Sequence, residues 1–196
     1  MLRSLVGSEM CIRDSDATVR RRLTVCTARR NEGAAGFTMS KQDTWLTTTA
    51  TPEETERLAC VVACSLRLPL VLGLSGTLGA GKTCFVRGLA KAWGGTGEEV
   101  TSPTFTLWQT YETSPAIHHL DVYRLLSEDE FLELGVEDCM DGPDLIVVEW
   151  ADKYASVFPD DTLWVDVQIE ESGERVWRFR GGGENGRMSV MALRPD

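Results

Sequence analysis

A glycine-rich segment that ends in lysine and threonine covers residues 76–83, with the sequence GTLGAGKT. It fits the pattern GxxxxGK[ST], in which glycines let backbone N–H groups turn inward around a phosphate without Cβ clashes. Lys82 would bring a cation to the terminal phosphates, and the hydroxyl of Thr83 would bind Mg²⁺. The predicted phosphate-binding residues are Gly76, Leu78, Gly79, Ala80, Gly81, Lys82 and Thr83.

The elements on either side of this segment suit a phosphate-binding loop better than a glycine-rich turn that matches by chance. Residues 70–75 form an uninterrupted apolar run, as expected of a strand buried on both faces. An amphipathic helix follows from Lys82 to Trp93 and stops at Gly94 and Gly95. The positive end of the helix dipole would point at the same phosphate oxygens.

Two acids follow apolar strands and could serve a bound Mg²⁺ or the water that attacks a phosphate. Glu149 ends the run Leu145–Val148, and Asp121 ends a shorter run that begins at Ile117. Either could instead be a solvated acid at the end of a strand. We expect Glu149 to bind the metal with Thr83, and Asp121 to lie nearer the water or the γ-phosphate. Trp150 follows Glu149 directly and would form a wall of the nucleotide site.

Two further segments could belong to the site. The segment Ser102–Thr106 lies between the loop helix and Asp121, where a γ-phosphate-sensing switch would be placed. A simple turn into a strand is an equal alternative for it. His118 and His119 are adjacent, so their rings would point to opposite faces of a strand. This favours packing or hydrogen bonding over metal binding.

The other elements predict a single α/β domain over residues 41–182. A β-branched run at 44–49 leads to the capping box Thr51–Glu54, which opens an amphipathic helix. Strands are predicted near 105–111 and 117–122, and helices at 128–134 and 151–157. Two alternating runs at 163–169 and 175–179 predict an antiparallel C-terminal hairpin. We expect a weakly structured tail over 183–196.

Composition limits the classes of protein that this chain can represent. It has 196 residues, 42% hydrophobic and 26% charged, as in ordinary globular proteins, and no apolar run that would span a membrane. Its net charge is −10, and residues 41–196 carry 13 basic and 26 acidic groups. Such a domain would bind nucleic acid poorly without a partner. The six cysteines contain no CxxC pair, which is typical of reduced thiols in a cytoplasmic protein.

The first forty residues differ from the rest of the chain. They hold seven arginines and four acids, and they lack a periodic apolar face. No stretch is apolar enough for a signal peptide. We expect residues 1–40 to be a disordered or artefactual leader outside the domain, with Met39 as a natural start.

Five motifs in this order resemble the TsaE family: GTLGAGKT, VTSPTFTL, HLDVYRL, ELGVED and VVEW. Members of this family are bacterial ATPases required for threonylcarbamoyladenosine modification of tRNA. The resemblance runs from about Thr44 to Arg180. It implies a P-loop NTPase-like three-layer sandwich with a mixed sheet.

The resemblance also implies an activity, cofactors and partners. The activity is Mg²⁺-dependent ATP hydrolysis that supports modification of tRNA position 37. The partner is a TsaD–TsaB heterodimer, so tRNA is reached only indirectly and no membrane is involved. By position, Lys82 and Asp121 match catalytic residues, and Thr83 and Glu149 match metal ligands. Glu54 and Arg175 match ATP-site positions of the family.

Two other functions stay open from the residues. A small-molecule kinase would use the same loop, but such kinases usually carry a lid with several arginines. Here Arg124 is the only arginine between Arg87 and Arg175. A non-catalytic ATP-sensing module would share all of the ligands. A GTPase is disfavoured because no NKxD-type motif occurs.

Overall fold

The computed structural model describes residues 44–136, 139 and 142–194, and the structural statements below concern these residues. The leader predicted over residues 1–40 lies outside them.

A seven-stranded mixed sheet forms the centre of the domain. Its strand order is β1-β7-β6-β2-β5-β4-β3. Strand β5 runs parallel to β2 and β4, and β2 runs parallel to β6, whereas β7 and β3 pair antiparallel with their neighbours. The strands are β1 (Thr44–Thr49), β2 (Leu70–Gly76), β3 (Trp108–Tyr111), β4 (Ile117–Asp121), β5 (Leu145–Glu149), β6 (Leu163–Ile169) and β7 (Arg175–Gly181).

Helices cover both faces of the sheet and make a three-layer α/β sandwich. They are α1 (Pro52–Ala63), α2 (Lys82–Ala92), α3 (Glu128–Leu132), a 3₁₀ helix (Ala151–Val157) and α4 (Gly183–Ala192). Helices α1, α2 and α4 share one core, which contains the fully buried Phe85 and Trp177. Helix α3 and the 3₁₀ helix pack on the other face through Phe131 and Tyr154. The predicted α/β fold with an antiparallel C-terminal hairpin is confirmed.

Burial explains why the two central strands could be recognised from sequence. All five residues of β5 are buried, and so are the first six of β2. Strands covered on both faces need apolar residues at every position, so they appear as continuous apolar runs. None of the helices in the described part of the chain has the length and apolarity to cross a membrane.

The structure differs from the sequence prediction in two segments. Strand β3 begins at Trp108, because the chain turns at Leu107, whose φ is 64° and whose N–H donates to the Pro103 carbonyl at 2.6 Å. The tail is not weakly structured over Gly183–Ala192, where α4 forms. Helix α4 is tied to the segment before β2: the Arg67 N–H donates to Ser189 at 2.9 Å. Tertiary packing therefore stabilises a helix that the local sequence signals weakly.

Candidate functional site

The phosphate-binding loop connects the end of β2 to the start of α2, as predicted. Three of its glycines have positive φ: 143° at Gly76, 77° at Gly79 and 107° at Gly81. A Cβ on Gly76 would also lie 2.4 Å from the Val167 carbonyl oxygen. No side chain caps the N-terminus of α2 at Gly81. The N–H groups of the first turn are therefore available to an anion.

Lys82 is buried at the base of this loop. Its Nζ donates to the carbonyls of Gly76 at 2.8 Å and Thr77 at 3.1 Å. The same atom lies 3.7 Å from the centre of a Trp150 ring. Burial lowers the pKa of Lys82, and the nearby carboxylates of Glu149 and Asp121 oppose that shift. Two backbone carbonyls of the loop thus hold the Lys82 ammonium in place.

Glu149 lies beside Thr83, although 66 residues separate them in sequence. The Thr83 hydroxyl donates to Glu149 Oε1 at 2.7 Å, and His119 Nε2 lies 3.0 Å from the same oxygen. The carboxylate is 3% exposed. A hydroxyl and a carboxylate are the oxygen ligands that Mg²⁺ takes when nucleotide phosphates and water complete its shell. Within the described residues no group of three His, Cys, Asp or Glu could hold a metal ion.

Asp121 anchors the switch-like segment. Its Oδ2 accepts hydrogen bonds from Ser102 at 2.7 Å and Thr104 at 2.5 Å, and its Oδ1 accepts from the Tyr123 N–H at 3.0 Å. The residue is 2% exposed. Three donors on one carboxylate fix its position. Asp121 therefore holds segment 102–104 against the site.

Trp150 lies beside Lys82, directly after β5. Its φ is 65°, and its backbone N–H donates to the Leu74 carbonyl at 2.8 Å. The Tyr123 ring packs on it with centroids 4.9 Å apart. An indole against the Lys82 ammonium is a cation–π arrangement. The indole therefore covers one side of the Lys82 ammonium, and Tyr123 packs on the indole.

These side chains surround one cavity of about 400 Å³. Its lining is Leu78, Gly79, Gly81, Lys82, Thr83, Cys84, Ser102, Thr104, Asp121, Tyr123, Glu149 and Trp150. Ala80 is fully buried inside the loop, and the Gly76 carbonyl accepts a hydrogen bond from Lys82. Eight of the predicted site residues thus line a single cavity.

Glu54 and Arg175 do not line it. The Glu54 carboxylate accepts from the Ala50 N–H at 2.7 Å, and the Glu54 N–H donates to the Thr51 hydroxyl at 3.2 Å, which caps α1. Arg175 donates to the Gly173 carbonyl at 3.0 Å within the β6–β7 turn. These contacts are local, so the structure gives these two residues structural roles and leaves their ATP contacts as predictions.

Several cavity residues were absent from the predicted set. Tyr123 belongs to the HLDVYRL motif, so the motif itself was the signal. Ser102 and Thr104 lie in the segment for which a switch and a turn were equal alternatives. Cys84 directly follows Thr83, and burial raises the pKa of its thiol. No sequence feature singled it out.

Comparison with known proteins assigns this chain to a family. The sequence model described as "Threonylcarbamoyl adenosine biosynthesis protein TsaE" matches residues 49–177. The chain is 41% identical over 123 residues to the tRNA threonylcarbamoyladenosine biosynthesis protein TsaE of Treponema pallidum, covering 63% of this chain and 90% of that protein. It is 36% identical over 154 residues to the Bacillus subtilis protein of the same name, covering 78% and 94%.

A solved structure agrees with the sequence matches. The crystal structure of YdiB from Bacillus subtilis superposes with a TM-score of 0.63 at 30% identity, covering 76% of this chain and 93% of that one. Because the family model spans more than half of the chain, the chain belongs to the TsaE family of threonylcarbamoyladenosine biosynthesis proteins.

Proposed function

We propose that this chain is a Mg²⁺-dependent ATPase that supports threonylcarbamoyladenosine modification of tRNA position 37 through a TsaD–TsaB heterodimer. The main support for this proposal is that Lys82, the Thr83–Glu149 pair and Asp121 line one cavity at the N-terminal end of α2.

Nucleotide phosphates would occupy the N-terminus of α2. The uncapped N–H groups of the first turn would bind the phosphate oxygens. The Lys82 ammonium would move from the Gly76 and Thr77 carbonyls to the terminal phosphates, since a phosphate is a stronger acceptor than a neutral carbonyl. Burial excludes water from this cation and strengthens its attraction to an anion.

Thr83 and Glu149 fit a Mg²⁺ ion by their donor atoms. When bound, the ion would neutralise charge that develops on the phosphates. The chain's part is to hold a hydroxyl and a carboxylate oxygen together, which it does at 2.7 Å.

Asp121 would act on the hydrolytic side of the cavity. It orients the hydroxyls of Ser102 and Thr104, which line the same space. A γ-phosphate or an attacking water in the cavity would meet these groups together, so Asp121 would position the nucleophile directly or through them. The Trp150 and Tyr123 rings would limit access of bulk water.

Charge supports an indirect connection to tRNA. Residues 41–196 carry twice as many acids as basic groups, 26 against 13. Phosphate contacts need lysine and arginine, so the partner heterodimer would hold the tRNA. The relatives are named as tRNA threonylcarbamoyladenosine biosynthesis proteins, which supports the proposal.

The test compares two lysines of one helix. Lys82→Ala removes the buried cation, whereas Lys91→Ala removes an exposed one that pairs with Glu56 at 2.7 Å. ATP hydrolysis is measured in Mg²⁺ buffer with and without purified TsaD–TsaB. We expect Lys82→Ala to lower activity about 100-fold, since charge-assisted contacts contribute about 1.5–3 kcal/mol each. Wild-type activity in Lys82→Ala, or equal losses in both variants, would refute the assignment.

A further inference from the structure

The structure assigns to His119 the role of positioning residue for Glu149, with Tyr111 fixing the imidazole from its other side. This inference rests on the proposed function, because it concerns how Glu149 is presented to Mg²⁺. It starts from a buried row of side chains that runs away from the cavity: Glu149, His119 and Tyr111 are all 3% exposed or less.

The hydrogen bonds of this row have one consistent direction. A carboxylate only accepts hydrogen bonds, so His119 Nε2 must carry the proton that points to Glu149 Oε1 at 3.0 Å. In the neutral ring Nδ1 is then an acceptor, and the Tyr111 hydroxyl lies 3.0 Å from it. The hydroxyl's other neighbours, the Thr101 carbonyl and Gln109 Oε1, lie farther away at 3.2 and 3.4 Å.

The strand register brings these groups together. His119 pairs with Val147 on β5, and Glu149 lies two residues farther along the same face. Tyr111 pairs with Ile117 on β4, again two residues from His119 on that face. The three side chains therefore follow one face of β3, β4 and β5 toward Thr83.

His119 thus acts as an outer hydrogen-bond partner of the carboxylate that would bind Mg²⁺. Glu149 Oε1 accepts from both Thr83 and His119, so its orientation is set by two donors on different elements. Outer partners of this kind hold a ligand in the geometry that the metal requires, and their loss typically weakens metal affinity by about 10–100-fold. His119 acts through Glu149 and does not line the cavity.

The experiment uses amide replacements that keep or remove the donor. In His119→Gln the side-chain nitrogen can take the place of Nε2, whereas in His119→Asn it falls near Nδ1. His118→Asn is the control, because His118 faces Thr110 at 3.1 Å and lies on the opposite side of β4. Calorimetric titration measures the affinity for ADP in Mg²⁺ buffer and in EDTA. The ratio of the two affinities is the gain that depends on the metal.

We expect His119→Asn to reduce this gain about tenfold, while binding in EDTA stays close to wild type. His119→Gln should retain most of the gain, and His118→Asn all of it. An undiminished gain in His119→Asn, an equal loss in His119→Gln, or equal losses with and without Mg²⁺ would overturn the inference.

A second measurement needs neither nucleotide nor metal. The chain has two histidines, so ¹⁵N NMR of the full chain resolves both imidazoles. We expect the Nε2–H tautomer for His119, and in Tyr111→Phe a shift of Nδ1 toward the value of a nitrogen without a hydrogen bond. A Nδ1–H tautomer, or an unchanged Nδ1 signal, would overturn the inference. If wild type binds no ADP, the proposed function fails while this measurement still tests the hydrogen-bond row.

Discussion

Gly88 allows α1 and α2 to pack closely enough to share backbone contact. A Cβ at this position would lie 2.5 Å from the Glu56 carbonyl oxygen and 2.6 Å from the Ala59 Cβ. The Gly88 carbonyl also accepts a hydrogen bond from the Cys60 thiol at 3.3 Å. Because Lys82 and Thr83 begin α2, this contact helps to fix the helix that carries the phosphate-binding loop.

Gly88→Ala therefore forces the two helices apart. Ordinary contact begins near 3.4 Å, so α1 and α2 would have to separate by about 1 Å. Overpacking costs about 1–3 kcal/mol, and three contacts under 3.0 Å, two of them to the Glu56 backbone, place this substitution in the upper part of that range, at about 2–3 kcal/mol. The better helix propensity of alanine returns about 1 kcal/mol. We expect a net loss of about 1–2 kcal/mol in unfolding free energy. For a domain of this size that corresponds to a fall in Tm of about 2–8 °C.

Thermal unfolding followed by circular dichroism measures this loss, with Ala59→Gly as the second arm of a double-mutant cycle. Removing the Ala59 methyl relieves one of the three contacts under 3.0 Å, so Gly88→Ala should cost less in the Ala59→Gly background than in wild type. The Glu56 carbonyl remains, which makes the rescue partial. A Gly88→Ala variant that melts at or above the wild-type temperature would show that the contact argument is wrong.

Three further predictions concern Glu149, Asp121 and Tyr111. Glu149→Gln should raise the Mg²⁺ concentration needed for ATP hydrolysis about tenfold, because a neutral amide is a weaker ligand than a carboxylate. Asp121→Asn should instead lower turnover with less effect on nucleotide affinity, and normal turnover would remove its catalytic role. Burial raises the pKa of Tyr111 to about 12, so the folded state holds this proton more tightly than the unfolded state. Its stabilising contribution is complete below pH 10 and is lost toward pH 12, by up to roughly 1.4 kcal/mol per pH unit. Urea midpoints at pH 9 and 11 should fall less in Tyr111→Phe, and equal falls in both proteins would contradict this.

The cavity was largely predictable because its parts carry local signals. The positive φ angles of the loop favour glycine, and the strands that end at Gly76 and Glu149 are buried on both faces. A backbone conformation or a doubly buried strand restricts the residue types that can occupy it. Such restrictions remain visible in the sequence without knowledge of the tertiary structure.

The contacts that were not predictable depend on strand order and register. The His119–Glu149 bond joins residues 30 apart, and either histidine of the pair could have faced inward. Helix α4 is another case, since its first residues are glycine-rich and its stability comes from packing. Gly186 is so close to Gly181 that a Cβ on Gly181 would lie 2.4 Å from its backbone. A glycine there indicates tight packing only once the two segments are known to meet.

The order of the central strands explains why the two acids have different surroundings. Glu149 on β5 pairs with Leu74 on β2 and with Asp121 on β4, so β4 and β5 end at the same level and β2 runs two residues farther, to Gly76. Because β5 lies between β2 and β4, Glu149 reaches Thr83 on one side and His119 on the other. Asp121 is one strand farther from the phosphate-binding loop, and segment 102–104 fills the space beside it. An acid next to the loop is well placed to bind a metal ion that also contacts the nucleotide phosphates. An acid that holds a switch-like segment is better placed to act near the γ-phosphate. The position of each strand in the sheet therefore supports the proposal that Glu149 binds Mg²⁺ and that Asp121 acts on the hydrolytic side.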